Sequence, residues 1–420
     1  MSVWAAAGGT PDRPGHVAAS ELVPLAKYRR EVLGSIGPLE PIHLGLLEAF
    51  GAVCAEDVTS PTDLPPFVNS AMDGYAVDAG SVTVGEQLHV VGEIAAGSGE
   101  LVSPGPGQAV RIMTGAPLPP GADAVVPVEL VSEGRGTVTL QHRPEAGDHV
   151  RPSGQDVRAG QVVIPQGARL GPAEIAMCAA VGKARVLAHP QPRVVVVSTG
   201  DELVEPDREP GPGQIRDSNS YMLTAAVREA GAAAFRQPIV PDDRKALAEA
   251  FEGAMSQADM LLTSGGVSAG RYDLVREVLS QLGNVRFTKV GMQPGMPQAF
   301  GYVGSVPCFG LPGNPVSAYV SFEVFVRPSL RRLQGRNDLN RPRVVALLDE
   351  PVTSPPSKVS FLRVRLRREG GDWFIRPTGG QGSGLLGSIV AADGLAEVPA
   401  DRTSVEAGEP LVVHLLVDAT

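Results

Sequence analysis

The chain has 420 residues, of which 43% are hydrophobic and 20% charged, and its formal net charge is −10. This length exceeds what one hydrophobic core normally supports, so we expect two to four domains. The acidic balance excludes a general attraction to nucleic acid or to anionic membranes. No apolar run approaches the roughly 18 residues of a membrane-spanning helix.

The cysteines and the first 14 residues indicate the cellular compartment of the protein. Cys54, Cys178 and Cys308 are far apart and share no CxxC spacing, which favours reduced thiols in a cytoplasmic protein. The first 14 residues lack the basic and apolar regions of a signal peptide. Residues 1–20 are expected to form a disordered tail.

The first half of the chain predicts a small β module inserted into a helical framework. Apolar spacing predicts helices in residues 21–36, at His43–Phe50 and at Ala173–Val181. Residues 60–77 contain three prolines and are expected to be extended, with a turn at Asp73. Short apolar runs separated by glycine and proline follow up to residue 142. The expected domains are a framework of residues 21–60 and 150–190 and an inserted β domain of residues 61–149.

Residues 191–336 alternate short apolar runs with helical segments. Val194–Val197, Met260–Thr263 and Val306–Leu311 are typical of strands buried on both faces. Strands that alternate with helices predict a mainly parallel, doubly wound sheet. Ligands bind beyond the carboxyl ends of such strands. The glycine-containing loops that follow these runs are therefore expected to form a binding site.

Four carboxylates accompany these loops: Asp201, Glu202, Asp259 and Asp273. Each of them alone is explained by helix capping. Four acids at one edge exceed what capping requires, and glycine loops beside helices favour phosphate binding. Because carboxylates repel a bare phosphate, the combination indicates a divalent cation between them.

Residues 340–420 are predicted to be β-structure. Arg363, Arg365 and Arg367 alternate on one strand face, which is either solvated or part of an oxyanion site. The glycine-rich segment Thr378–Leu386 is expected to be a loop. The chain lacks a Walker motif, a GxGxxG fingerprint and a GxSxG elbow, which counts against nucleoside triphosphate, dinucleotide and serine-hydrolase chemistry.

Six motifs together resemble a known family. They are NSAMDGYAV (69–77), RIMTGAP (111–117), GADAVVPVE (121–129), STGDEL (198–203), SGGVSAG (264–270) with Asp273, and GLPGNPVS (310–317). In this order they resemble molybdopterin molybdotransferase, the molybdenum insertase family that is related to the C-terminal domain of gephyrin. The resemblance runs from about Leu22 to the C-terminus.

The resemblance implies a multidomain α/β and β fold. It comprises a discontinuous helical N-terminal domain, an inserted small β domain, a doubly wound pterin-binding domain at 191–336 and a C-terminal β-barrel at 340–420. It also implies a homodimer, and a partner adenylyltransferase that delivers substrate. The implied reaction inserts molybdate into adenylylated molybdopterin and releases AMP with the help of Mg²⁺.

The resemblance also implies roles for individual residues. The acids of the active site and its metal are Glu202, Asp259 and Asp273, and further catalytic residues are Asp73 and Asp156. Arg363 and Ser383 match residues linked to molybdate binding. The other expected binding residues are Thr114, Thr199, Gly200, Asp201, Ser264, Gly265, Gly266, Ser268, Gln293, Pro312, Gly313, Asn314 and Pro315.

One departure and two alternatives accompany this hypothesis. Many relatives have lysines where this chain has Gln293 and Met296, which affects molybdate affinity, and preference between molybdate and tungstate stays open. An adenylyltransferase acting on molybdopterin would consume ATP, and a non-catalytic pterin-binding scaffold would bind without turnover. The retained acids count against a scaffold, and the additional domains count against the smaller adenylyltransferase.

Overall fold

The computed structural model describes residues 22–266 and 274–417. These residues form two compact units. One unit combines the chain up to Glu40 with the chain from His189 onward, and the other is Pro41–Ala188. Within the described ranges, no helix is both long and apolar enough to cross a membrane.

The helices of the described residues are short. The α-helices are α1 (Leu25–Ser35), α2 (Pro172–Ala180), α3 (Asn219–Glu229), α4 (Arg244–Met255), α5 (Leu274–Leu282), α6 (Pro315–Ser321), α7 (Arg327–Leu333) and α8 (Leu386–Val390). A 3₁₀ turn covers Val128–Leu130, and a π-helical turn at Phe322–Val326 joins α6 to α7. The chain is therefore helical from Pro315 to Leu333 and changes its hydrogen-bond pattern in the middle.

The Pro41–Ala188 unit is mostly β-structure. Its strands are β1 (Ile42–Gly45), β2 (Val53–Cys54), β3 (Val58–Thr59), β4 (Asn69–Ser70), β5 (Gly74–Val77), β6 (Gln87–Ile94), β7 (Gln108–Ile112), β8 (Ala124–Pro127), β9 (Val131–Glu133), β10 (Thr137–Leu140), β11 (Val150–Arg151), β12 (Val162–Ile164) and β13 (Arg185–His189). Six of them form one sheet in the order β8-β5-β7-β6-β10-β9. The predicted β strands between residues 85 and 142 are thus confirmed.

The prediction of helix at His43–Phe50 is wrong. Strand β1 occupies its first residues, pairs antiparallel with β13 from Ile42↔Ala188 to Gly45↔Arg185, and is followed by a turn. Pairing with a strand distant in sequence overrides the local helical spacing. The framework that was expected to be helical contains one helix in each of its two ranges, α1 and α2, and more strands than helices.

The α/β region of the larger unit contains a six-stranded sheet in the order β17-β14-β18-β22-β21-β19. The strands of this region are β14 (Arg193–Ser198), β15 (Leu203–Val204), β16 (Ile215–Arg216), β17 (Ala233–Arg236), β18 (Met260–Ser264), β19 (Arg286–Lys289), β20 (Met292–Gln293), β21 (Pro297–Val303) and β22 (Val306–Leu311). The first four strands of the sheet are parallel, and β21 and β19 add antiparallel neighbours.

Both faces of this sheet are covered. Val194 and Val196 of β14 pack into a core with α3, α6 and α7. The alternate residues Val195 and Val197 pack into a second core with α4 and α5. Alternation along a strand sends successive side chains to opposite faces, so the continuous valine run is explained by burial on both sides. The predicted mainly parallel, doubly wound sheet is present.

The C-terminal region closes into a small barrel. Its strands are β23 (Arg343–Leu348), β24 (Val352–Thr353), β25 (Val359–Glu369), β26 (Asp372–Pro377), β27 (Gly394–Val398), β28 (Ser404–Val405) and β29 (Pro410–Leu415). The pairings run β25-β26-β23-β29-β27 and return to β25, so five strands form a closed ring. Leu362, Ala396 and Val413 lie in its core. The alternate residues of the same strands face outward.

Candidate ligand site at the carboxyl edge of the sheet

Three loops converge where the parallel strands β14, β18 and β22 end. Thr199 forms a parallel bridge with Val240, and the Gly265 amide donates a hydrogen bond to the Leu311 carbonyl at 3.1 Å. Gly265 has φ +98°, and a Cβ on it would lie 3.2 Å from the Thr199 carbonyl oxygen. This position therefore requires glycine. The expected convergence of Thr199, Ser264 and Pro312 at one edge is confirmed.

The carboxylates of the first loop are held by close backbone contacts. A Cβ on Gly200 would lie 2.3 Å from Oε2 of Glu202, so this carboxylate folds over the bare glycine backbone. Asp201 Oδ1 accepts a hydrogen bond from the Asp242 amide at 3.1 Å. The loop after β14 and the loop after Val240 are therefore tied together, and both expose acids to solvent.

Sequence reasoning did not select Asp242. This acid follows Val240, which bridges to Thr199 at the end of the neighbouring parallel strand. The rule that selected Glu202, an acid directly after a parallel strand, would have found it.

The structure contradicts the expectation that Asp259 lies at this edge. Asp259 precedes β18, and its neighbour Met260 pairs with Val194 at the amino end of β14. Its carboxylate accepts hydrogen bonds from the Arg193 amide at 2.8 Å and from the guanidinium at 3.1 and 3.0 Å. The whole length of β18 separates it from Ser264. Asp259 therefore stabilises the opposite end of the sheet and is no partner for Glu202 in a metal site.

Two expected site residues, Ser268 and Asp273, lie outside the described residues. Within the described ranges, no group of three His, Cys, Asp or Glu side chains is placed to hold a metal ion. Mg²⁺ usually binds through one or two carboxylates and completes its coordination with water and substrate phosphate. Glu202 and Asp242 supply such carboxylates at the edge, so the donor set fits a cation that arrives with a phosphate ligand.

Asn219, at the start of α3, is a second residue that sequence reasoning missed. Its Nδ2 donates hydrogen bonds to Ser264 Oγ at 2.8 Å and to the Gly313 carbonyl at 2.6 Å. One amide thus fixes the distance between the loop after β18 and the loop after β22. The nearby Asp217 accepts hydrogen bonds from the Ser220 amide and hydroxyl, which fixes the start of α3.

Several buried polar atoms at this edge have no hydrogen-bond partner among residues 22–266 and 274–417. They are Ser198 Oγ at the end of β14, Thr263 Oγ1 in β18 and Asn219 Oδ1. Leaving a buried donor or acceptor unpaired costs about 1–3 kcal/mol. Each such group calls for an explanation, and a polar ligand bound at this edge would give these three atoms partners.

The loop after β22 also contacts the glycine-rich segment of the barrel region. Asn314 Nδ2 donates to Ser383 Oγ at 3.0 Å, and the Val316 amide donates to the Ser383 carbonyl at 3.1 Å. Pro315 begins α6 and its loop neighbour Pro312 is buried. The predicted site residues Asn314 and Ser383, distant in sequence, are therefore adjacent.

Arg363, on the outward face of β25, is a buried cation. It is 1% exposed, and its guanidinium donates to Ser388 Oγ, to the Phe361 carbonyl and to the Gly382 carbonyl at 3.2–3.3 Å. No acidic side chain of the described residues pairs with it, and burial lowers its pKa to about 10. A buried guanidinium without a carboxylate is costly unless an anion completes it.

Gln293 and Arg363 lie on neighbouring strands. β20 pairs parallel with the start of β25, with Gln293 opposite Ser360, and Gln293 is exposed. The neighbouring Gln298 is buried and donates to the Gly295 carbonyl and to Ser321 Oγ, both at 2.6 Å. These two hydrogen bonds anchor the segment that contains Met296.

The remaining predicted site residues lie in the Pro41–Ala188 unit. Asp73 Oδ1 accepts hydrogen bonds from the amide and the hydroxyl of Thr114, both at 2.7 Å. These two bonds hold the pKa of Asp73 below its usual range, with a smaller contribution from the charge of Arg111. Asp156 is exposed, and its amide donates to the Leu64 carbonyl at 3.0 Å. The turn expected at Asp73 thus has a specific partner.

Comparisons with known proteins agree with this architecture. Three family models match consecutive segments: MoeA N-terminal region (domain I and II) at 23–182, probable molybdopterin binding domain at 195–332, and MoeA C-terminal region (domain IV) at 345–416. A molybdopterin molybdenumtransferase 2 of Mycobacterium tuberculosis is 42% identical, covering 92% of this chain and 98% of its own. A molybdopterin molybdenumtransferase of Haemophilus influenzae is 37% identical, covering 90% and 96%.

A solved structure has the same fold. The crystal structure of a molybdopterin biosynthesis MoeA protein from Pyrococcus horikosii has a TM-score of 0.78 and 35% identity, and covers 94% of this chain and 99% of that one. The α/β sheet, the barrel and the loops between them thus define a multidomain enzyme of molybdenum cofactor biosynthesis. The chain belongs to the MoeA family.

Proposed function

We propose that this protein is a molybdopterin molybdenumtransferase that inserts molybdate into adenylylated molybdopterin and releases AMP. The names of its relatives support the molybdopterin substrate. The observation that carries the proposal is the buried guanidinium of Arg363. It has no acidic partner among the described residues, and it donates to Gly382, the neighbour of the Ser383 that contacts the sheet edge. An oxyanion site and a phosphate site are thereby neighbours.

In this proposal the sheet edge binds the phosphoanhydride. The Gly265 amide is already committed to the Leu311 carbonyl, so the Gly266 amide and the Ser264 and Thr199 hydroxyls are the donors we assign to the phosphate. Gly313 and Pro312 shape the opposite wall.

The oxyanion side binds molybdate. Arg363 supplies positive charge and Ser383 supplies a hydroxyl. A tetrahedral dianion can accept hydrogen bonds from both groups. Gln293 offers a neutral donor where many relatives have lysine, so we propose that charge attraction at this site depends mainly on Arg363. The choice between molybdate and tungstate belongs to the same proposal, because both are tetrahedral dianions.

We propose that Mg²⁺ binds between Glu202, Asp242 and the substrate phosphate, with Asp273 as the further acid. When bound there, a divalent cation would supply charge neutralisation to the phosphoanhydride. Asp259 is not part of this set.

The Pro41–Ala188 unit has a separate role in the proposal. Asp73, fixed by Thr114, and Asp156 would complete the site of the second subunit of a homodimer in the cytoplasm. We keep the division into four domains as a proposal within the two compact units, with a framework at residues 21–60 and 150–190 and further domains at 61–149, 191–336 and 340–420. A molybdopterin adenylyltransferase is the proposed supplier of substrate.

The decisive experiment mixes the purified protein with adenylylated molybdopterin, molybdate and Mg²⁺ and follows AMP. We expect AMP release that depends on molybdate. AMP release without molybdate dependence, or none at all, would refute the proposal. Consumption of ATP with molybdopterin would indicate the adenylyltransferase instead, and tight pterin binding without turnover would indicate a scaffold.

A further inference from the structure

A cavity of about 240 Å³ lies between helix α1, the π-helical turn and the outer wall of the barrel. Its barrel side consists of outward residues on adjacent strands, because Leu395 pairs with His414 and His414 pairs with Arg343. The neighbouring residue Val413 points into the barrel core. Side chains that reach the cavity therefore do not fill the barrel. Arg363 and Ser383 do not line this cavity.

Half of the residues that line the cavity are apolar, and the other half are polar or charged. Phe361, Leu395 and Leu416 contribute from the barrel side and Leu25 from α1. The Phe361 ring meets the His414 ring edge-on at 6.0 Å between centroids. A concave pocket in which polar groups can orient a ligand against apolar walls is typical of small-molecule sites, and π-helical turns are often found at functional sites.

Two of the charged groups around the cavity are already neutralised. Glu323 of the π-helical turn accepts from Arg341 at 2.7 Å and from Arg327 at 2.8 Å. Glu229 accepts from the same two arginines at 2.7 and 2.6 Å. Two acids and two guanidinium groups thus form a closed network. This network leaves no net charge for a ligand in the cavity.

The remaining charges leave an excess of positive charge. Arg29 donates to the Val324 carbonyl at 3.2 Å and to Asn340 Oδ1, and the Arg343 side chain forms neither a hydrogen bond nor an ion pair within the described residues. Burial lowers the pKa of Arg29, and the charge of Arg343 lowers it further. The opposing acid is Glu397, which accepts from His414 at 3.0 Å. Two guanidinium groups thus face one carboxylate.

We propose that this cavity binds a small organic monoanion, a carboxylate with a ring-sized apolar body. The carboxylate would pair with Arg343 and relieve its repulsion with Arg29, since guanidinium groups bind carboxylates in a bidentate manner. The apolar body would contact Phe361 and Leu395. The proposal does not depend on the proposed molybdenum transfer, because the cavity shares no residue with that site.

Benzoate is the probe, and benzamide is its neutral counterpart of the same shape. Isothermal titration calorimetry of the full-length protein is expected to show saturable binding of benzoate. The affinity for benzamide is expected to be lower by about tenfold or more, because benzamide cannot form a charge-assisted hydrogen bond. The titration is repeated in excess molybdate. Benzoate binding is expected to be unchanged there, because the two anions occupy different sites.

The variant is Arg343→Gln, which removes an exposed charge and leaves the barrel core intact. It is expected to weaken benzoate binding about tenfold. The matched control is Arg376→Gln, an exposed arginine on β26 that does not line the cavity, and it is expected to bind benzoate like the parent protein. Equal affinity for benzamide and benzoate, displacement by molybdate, or full affinity in Arg343→Gln would each overturn the proposal.

Discussion

Asn314 Nδ2 and Ser383 Oγ are joined by a hydrogen bond of 3.0 Å, although 69 positions separate the two residues. Asn314 belongs to the loop that follows the last parallel strand of the α/β sheet, and Ser383 to the glycine-rich segment of the barrel region. Gly382, directly before Ser383, accepts from Arg363. The contact therefore connects the loops proposed for phosphate to the guanidinium proposed for molybdate.

This contact can be tested with a double-mutant cycle. Asn314→Ala and Ser383→Ala are each expected to raise KM for molybdate. In the double variant, the fold-increase in KM is expected to be smaller than the product of the two single fold-increases. A coupling free energy of about 0.5–1.5 kcal/mol is expected for one hydrogen bond. Steady-state AMP release at varied molybdate measures it. Fully additive effects would show that the two side chains act independently.

Arg363→Met is expected to separate molybdate binding from stability. Loss of the guanidinium removes charge-assisted hydrogen bonds to the anion, which we expect to weaken molybdate binding by tenfold or more. The melting temperature is expected to stay the same or rise, because the substitution removes a buried cation that lacks an acidic partner. The control is Arg365→Met, an exposed arginine on the same strand. Loss of molybdate affinity in the control as well would argue against a specific role of Arg363.

The lowered pKa of Arg363 predicts a pH dependence at alkaline pH. Its folded pKa of about 10 lies below its ordinary value of 12.5, so the folded protein binds fewer protons than the unfolded chain between these pH values. The burial penalty is therefore fully present below pH 10, and stability rises relative to Arg363→Met as pH rises through that window. Molybdate affinity should fall over the same range. Parallel denaturation curves of parent and variant at all pH values would contradict this expectation.

Asp242→Asn and Asp259→Asn are expected to have opposite effects. Asp242 lies at the carboxyl edge, so its substitution should slow molybdate-dependent AMP release at least tenfold with little change in stability. Asp259 pairs with Arg193 at the other end of the sheet, so its substitution should lower the free energy of unfolding by about 1 kcal/mol and leave turnover near normal. Rate measurements at saturating Mg²⁺ and thermal denaturation distinguish them. Strong loss of turnover in Asp259→Asn alone would return that residue to the mechanism.

Asn219→Ala is expected to loosen the two loops that its amide connects. With the donors to Ser264 and Gly313 removed, the loops lose their fixed separation, and kcat/KM for adenylylated molybdopterin should fall about tenfold or more. Asn284→Ala, an exposed asparagine before β19, serves as control. A purely structural role would lower stability and leave kcat and KM per folded molecule unchanged, so both constants are measured at a temperature well below unfolding.

Sequence periodicity was sufficient to predict strands and helices where the local pattern and the burial of the side chains agree. The valine run of β14 requires burial on both faces, and the alternation of strands with helices requires parallel crossovers. The glycine loops and their order along the chain followed from these elements. The strand at Ile42–Gly45 was missed because its partner β13 lies more than 140 residues away, and a local window contains no trace of that pairing.

Which end of a strand a residue occupies decided the composition of the site. The sequence determined by itself that acids and glycine loops flank buried strands, since composition and spacing are local properties. Only the tertiary structure decided that Asp259 precedes its strand and pairs with Arg193, while Asp242 and Asn219 join Glu202 and Ser264 at the ligand edge. Only the tertiary structure also decided that Arg363 is buried without an acidic partner among the described residues. That property depends on which side chains surround it in space, and the sequence around position 363 does not specify them.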